Sequence, residues 1–289
     1  MGHNSSKTES MIPYYGKGAY GVNILITAGG TMERIDSVRS ITNHATGRLG
    51  SLMARCFDEA PETERIFYIC GKNAPQPESP KAEITVIEDT AGLERVVRDI
   101  LQSRRVDAII HSMAVSDYRV RAVTTPALIA SAAGPGSDQS ALTNSLENAS
   151  SIEQGALINA LENAPSLEQG AKISSDEKRL VIILEPTVKI ISLFQELAPH
   201  SLIVGFKLLD SVPHETLIDT AYRLLEKNHC AYVLANDAAD IHGDAHIGYL
   251  VDAERRVQRF EDKSGIARGI TENVIKKFNE KNQMPRRDP

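Results

Sequence analysis

At 289 residues with 42% hydrophobic content, the chain can bury a full α/β core in one large domain. A formal net charge of -6 supplies no basic footprint for nucleic acid, and no apolar run approaches the roughly 18 residues that span a bilayer, so the chain reads as a soluble protein. Cys56, Cys70 and Cys230 are widely spaced, with no CxxC and no histidine cluster beside them, and read as reduced thiols rather than a disulfide framework or a zinc site.

The first 21 residues, MGHNSSKTESMIPYYGKGAYG, are polar and Gly/Ser-rich and lack the apolar core of a signal peptide. They read as a disordered leader, with one domain over 22–289. Strand-like runs at Val22 to Ala28, Arg65 to Cys70, Glu83 to Ile87 and Asp107 to His111 alternate with helical patterns near Arg48 to Phe57 and Asp89 to Gln102. Further along come a strand at Leu180 to Leu184, a helix near Lys189 to Leu197, a strand at Leu202 to Phe206, a helix near Pro213 to Asn228 and a strand at Ala231 to Ala235. Ile247 to Asp252 and Val257 to Glu261 read as a terminal hairpin, followed by a helix from Lys263 to Lys281. This βαβ rhythm predicts a Rossmann-like α/β fold, a mostly parallel sheet flanked by helices with a C-terminal hairpin. Ligands of such sheets sit at the carboxyl ends of the strands.

The stretch 121–175 breaks the rhythm. Within it NSLENASSIEQGA (Asn144 to Ala156) is echoed by NALENAPSLEQGA (Asn159 to Ala171). Two copies do not build a solenoid, so the segment reads as a long flexible insertion with short amphipathic turns.

Gly29-Gly30-Thr31 ends the first strand, and a polar loop then leads into a helix. Freed backbone N–H groups at such a turn and at a helix start favour an anion. The turn lacks GxGxxG, the second strand ends Tyr68-Ile69-Cys70-Gly71 without a ribose-binding acid, and Gly47-Arg48-Leu49-Gly50 lacks a Walker A ending. A nicotinamide-dependent oxidoreductase is thereby disfavoured. Within the loop, Arg39, Asn43, His44, Ala45, Thr46 and Gly47 bring a forked cation, an amide and a hydroxyl to the mouth of the helix. A loop merely capped by Thr46 is the other reading. At Ser112-Met113-Ala114-Val115-Ser116-Asp117-Tyr118 small residues end a buried strand, and Asp117 either holds a ribose or cation or caps the next element. Lys172 follows the insertion, where a flap would carry it over a phosphate.

ITAGGT, IDSVRSITNHATGRLG, HSMAVSDY, KISS, VGFKLL and LANDAADI, in this order, resemble the phosphopantothenoylcysteine synthetase family in its single-function form, over roughly Asn23 to Asn279. The resemblance implies a cytoplasmic ligase of coenzyme A biosynthesis. It would activate 4'-phosphopantothenate with a nucleoside triphosphate, CTP in preference to ATP, and Mg2+, and then join the acyl nucleotidylate to L-cysteine. It further implies that Asn43 and Lys172 are catalytic and that Arg39, Asn43, His44, Ala45, Thr46 and Gly47 bind substrate. Gly29, Gly30, Thr31, Ala114, Asp117, Lys172, Lys189, Phe206, Arg223 and Lys227 would form the nucleotide site, with metal ligands left open. A homodimer is implied too, and neither nucleic acid nor membrane is a partner. One departure concerns Glu185-Pro186-Thr187-Val188-Lys189-Ile190, where relatives read K-T/N-P-x-I. There an acid faces the expected triphosphate, with Lys189 or Lys172 to offset it. A degenerate, non-catalytic binding protein is the remaining alternative.

Overall fold

The computed structural model describes residues 21–132, 154–167, 172–174, 176–242 and 245–283. Residues 1–20 of the expected leader lie outside them, as do residues 144–153 of the first repeat copy and 168–171 of the second. Strand β1 (Val22–Ala28) is buried at every position, as a strand covered on both faces must be. It pairs in parallel with β4 (Thr63–Gly71) on one side and β6 (Ala108–His111) on the other. Outside β4 lies β5 (Ala82–Ile87); outside β6 lie β9 (Leu202–Leu209) and β10 (Tyr232–Asp237), all parallel. The sheet is finished antiparallel by β12 (Ala245–Asp252), which carries β11 (Ile241–His242) and β13 (Val257–Asp262). Because β4 and β5 build out one way from β1 while β6, β9 and β10 build out the other, the strand order reverses between β1 and β6. Open α/β sheets bind ligands at this switch point.

Two helical layers cover the sheet. In α1 (Arg48–Glu59), Met53 and Phe57 stand four residues apart on one face and pack with Ile266, Ile270 and Val274 of α7 (Lys263–Gln283) beneath Ile24, Ile26 and Tyr68. Phe57 is wholly buried, which stabilises the fold by roughly 1.5–3 kcal/mol. On the opposite face α2 (Thr90–Ser103), α5 (Ile190–Leu197) and α6 (His214–Asn228) contribute Leu93, Val97, Phe194, Leu217 and Leu225. Helix α2 starts where the Asp89 side chain accepts the Gly92 N–H at 2.7 Å.

The structure corrects three expectations. The polar loop after the glycine turn is partly a hairpin, β2 (Met32–Arg34) with β3 (Ser40–Thr42), anchored where buried Glu33 accepts from the Thr90 backbone and hydroxyl. The run expected at Leu180 to Leu184 becomes β8 (Val181–Pro186), which leaves the main sheet and pairs antiparallel with β7 (Tyr118–Thr124). Its alternation of partly buried and exposed residues suits an arm with one solvated face rather than a central strand. Finally, the insertion carries two helices among its described residues: α3 (Pro126–Ala132) and α4 (Gln154–Glu162) contribute to a small core of Ile129, Ala130, Ala160 and Ala164.

Candidate active site

The carboxyl ends of β1 and β6 are joined backbone to backbone. The Ala114 N–H donates to the Gly29 carbonyl at 2.8 Å, and the Thr31 N–H donates to the Ala114 carbonyl at 3.2 Å. Buried Thr31 completes the junction: its Oγ1 accepts the Ser116 N–H at 2.9 Å and donates to Ser116 Oγ at 3.0 Å. Ser112 Oγ donates to the Thr27 carbonyl at 2.7 Å. Small residues are required because the backbones are so close. A Cβ on Gly71, at the end of β4, would stand 2.4 Å from the Gly30 carbonyl oxygen. In sequence Gly71 marks a missing ribose acid, and its signal as a spacer is a glycine at a strand end facing a Gly-Gly turn.

Asn43 lies over this floor. Its Nδ2 donates to the Ala114 carbonyl at 3.3 Å, and its own carbonyl accepts the Ala45 N–H at 2.9 Å. Asn43, His44 and Thr46 are exposed. The cap of α1 is Gly47, in the left-handed conformation at φ 73°, rather than Thr46, and the helix has no side-chain cap bond. Thr46 Oγ1 still accepts the Arg48 N–H, at 3.4 Å, so it is the N–H groups of Leu49 and Gly50 that remain available to an anion.

Arg39 is arranged differently from the phosphate clamp expected. Its Nε and Nη2 donate to Asp36 Oδ2 at 2.8 and 2.5 Å, and Nη2 also donates to the Ile173 carbonyl at 3.0 Å. The guanidinium and the Val38 N–H hold the Asp36 carboxyl well below the usual carboxylate range. Lys172, next to buried Ile173, is exposed.

On the other flank Asp117 is exposed and ion-paired with Lys189. It is not a helix cap. The residue after the β7–β8 arm, Thr187, donates its hydroxyl to the Ser116 carbonyl at 2.6 Å and its N–H to the Asp117 carbonyl at 3.0 Å, tying the start of α5 to the floor. Glu185 pairs with Arg119 at 2.6 Å, so much of the charge expected to oppose a triphosphate is answered within the arm.

Phe206 is partly buried. The pairing of Gly205 with His111 sets it one residue past the end of β6, level with Ser112. Arg223 and Lys227 are exposed on α6, which runs back from the carboxyl end of β9 toward the start of β10. At 1.5 Å per residue they stand roughly 13 and 20 Å along the axis from the helix start, so this chain does not gather them with the other candidates. Asp237 organises the adjoining rim, accepting the N–H groups of Ser211, Val212 and Ala239 at 2.8 to 2.9 Å, which lowers its pKa.

Beneath the floor, buried His111 has Nδ1 2.8 Å from Thr27 Oγ1 and meets the Phe194 ring edge-on at 5.0 Å between centroids. Burial pushes its pKa down to about 4, so the ring is neutral near pH 7.

Fold and site together define a Rossmann-like protein whose switch point is floored by a glycine turn and overhung by an amide. Residues 19–130 match the model of the DNA/pantothenate metabolism flavoprotein C-terminal domain. The crystal structure of the DNA/pantothenate metabolism flavoprotein from Streptococcus pneumoniae is 34% identical at a TM-score of 0.71, covering 89% of this chain and 100% of that one. The C-terminal domain of a coenzyme A biosynthesis bifunctional protein CoaBC shares the fold at a TM-score of 0.61 and 20% identity, with 91% of this chain and 100% of that one covered. The chain is also 26% identical to the bifunctional protein CoaBC of Thermococcus kodakarensis over 76% of its own length, and spans 42% of that relative. The chain belongs to this family, that of the phosphopantothenoylcysteine synthetase domain.

Proposed function

We propose that the protein is a phosphopantothenate-cysteine ligase acting in coenzyme A biosynthesis, folded as one domain over 22–289 with 121–175 as its insertion and flap. The observation that carries this reading is Asn43 held over the joined Gly29–Thr31 and Ala114–Ser116 backbones, at the mouth of a helix without a side-chain cap. An ionised carboxylate is a poor electrophile with no usable leaving group, so amide formation needs prior activation. In the first step a carboxylate oxygen of 4'-phosphopantothenate attacks the α-phosphorus of the triphosphate and pyrophosphate leaves. In the second the cysteine amine attacks the acyl carbon, loses a proton, and nucleoside monophosphate leaves.

Asn43 would donate its amide N–H groups to the acyl oxygen as that oxygen gains charge. The Gly29–Thr31 turn, Ala114 and the first N–H groups of α1 would receive phosphate oxygens. Lys172 and Lys189 would supply positive charge to the triphosphate, Lys189 after exchanging Asp117 for it, and Phe206 would border the nucleotide. His44, Ala45, Thr46 and Gly47 would line the acyl side. Mg2+ normally keeps several waters and is held by phosphates with one or two carboxylates. The exposed carboxylate of Asp117 fits that donor set, and the ion would supply charge neutralisation on the triphosphate. Exposed Val38, Ile41, Tyr118, Ile182 and Leu184 on the two hairpins support a homodimer. No helix of the described residues is long and apolar enough to cross a membrane; a cytoplasmic setting follows from the proposed pathway.

The test is a staged assay with CTP and, separately, ATP. Pyrophosphate should appear with triphosphate and phosphopantothenate alone, nucleoside monophosphate only once cysteine is added, and CTP should serve better than ATP. No pyrophosphate with either nucleotide defeats the proposal; efficient use of ATP alone corrects the nucleotide.

A further inference from the structure

One buried carboxylate in the described structure gathers donors from three directions. Asp36 is 2% exposed. Its Oδ1 accepts the backbone N–H groups of Val38 and Arg39 at 2.9 and 2.8 Å. Its Oδ2 accepts Nε and Nη2 of Arg39 and, from 137 residues further along the chain, the N–H of Ile173 at 3.3 Å. Arg39 closes the circuit by donating to the Ile173 carbonyl at 3.0 Å. Both polar backbone atoms of Ile173 are thus held by one ion pair, and the residue as a whole is 7% exposed.

This arrangement constrains two parts of the site at once. Lys172 precedes the anchored residue, so its Cα lies one peptide, about 3.8 Å, from a fixed point. Asn43 follows Arg39 by four residues across β3. An arginine facing its own carboxylate in this way is a poor free clamp for phosphate, because that carboxylate repels the incoming anion. Charge-assisted bonds with paired geometry are, by contrast, well suited to holding a backbone segment in place.

We propose that Asp36 and Arg39 are positioning residues: they latch Ile173 and thereby set Lys172 and Asn43 over a common site. This deepens the ligase reading and rests on it for the role of Lys172.

The experiment compares Asp36→Asn, Arg39→Ala, Arg39→Lys, Lys172→Ala and the double variant Arg39→Ala/Lys172→Ala in the full chain, with KM for triphosphate and for phosphopantothenate determined separately. Loss of one charged hydrogen-bond partner corresponds to about tenfold. Asp36→Asn and Arg39→Ala should each raise the triphosphate KM by about that factor, and Arg39→Lys, which keeps the charge, should recover part of it. With Lys172 already removed, Arg39→Ala should add less than about twofold, since residues acting as one unit are not additive. Effects that multiply in the double variant overturn the proposal. So does a raised phosphopantothenate KM in Arg39→Ala with an unchanged triphosphate KM in Asp36→Asn, which would make Arg39 a phosphate ligand. Amide hydrogen exchange at Ile173, measured without substrate, should quicken in Asp36→Asn; unchanged exchange refutes the latch itself. A parent protein that releases no pyrophosphate overturns instead the ligase reading and the role given to Lys172.

Discussion

Replacing Gly71 by alanine tests whether the floor depends on the approach of β4 to the glycine turn. The added Cβ would stand 2.4 Å from the Gly30 carbonyl oxygen and 3.4 Å from the Gly30 nitrogen and carbonyl carbon. Ordinary contact begins near 3.4 Å, so about 1 Å must be found, and both partners are backbone. Strain of this kind in a packed region costs about 1–3 kcal/mol, and a shift of about 1 Å at a reacting site lowers rate by about 10²-fold. Gly205→Ala is the internal comparison: its Cβ would meet Ile191 Cδ1 at 3.3 Å, the end of a side chain that can turn aside. Urea midpoints and kcat/KM for pyrophosphate release should fall together in Gly71→Ala and far less in Gly205→Ala. Parent-like stability and activity in Gly71→Ala would refute the reasoning, as would equal damage from the two.

His111 makes stability depend on acid. Its folded pKa of about 4 lies below the unfolded value of about 6.5, so the unfolded chain binds a proton that the folded one refuses, and stability falls as pH drops from 6.5 to 4. The shift corresponds to about 3 kcal/mol. His111→Gln cannot charge, so urea midpoints across that window should fall correspondingly less than in the parent; parallel profiles would refute it. Asn43→Asp removes the N–H donors of the amide, and should keep pyrophosphate release while slowing attack by cysteine about 10²-fold or more. Acid quenching and mass spectrometry should then find the acyl nucleotidylate accumulating; unchanged product formation would deny Asn43 its role.

The main sheet was readable because its strands are short apolar runs between helical patterns, a signal that burial on both faces creates directly. The same signal misassigned β8. Ile182 and Leu184 are exposed apolar residues of an arm, and exposure of that sort leaves no mark in a run such as VIIL. At the site, Gly29 to Thr31, Asn43 and Ala114 were legible as small or polar residues at strand ends, and the structure brings them together. Asp36 was not singled out, since its partner Ile173 is distant in sequence and offers only backbone atoms. Arg39 was legible as a forked cation, but its pairing with Asp36 and the Ile173 carbonyl was not. The placement of Arg223 and Lys227 could not be read from i, i+4 spacing, which says that two residues share a helix face but not toward which end of the sheet they lie.

Product analysis of a single reaction decides whether the protein is a phosphopantothenate-cysteine ligase. The purified protein is incubated with 4'-phosphopantothenate, L-cysteine, Mg2+ and CTP, and the mixture is quantified by mass spectrometry over time. Phosphopantothenoylcysteine should form in equal amount to pyrophosphate and cytidine monophosphate, with no monophosphate when cysteine is left out. Absence of that product with CTP and with ATP, from protein shown to be folded, would contradict it.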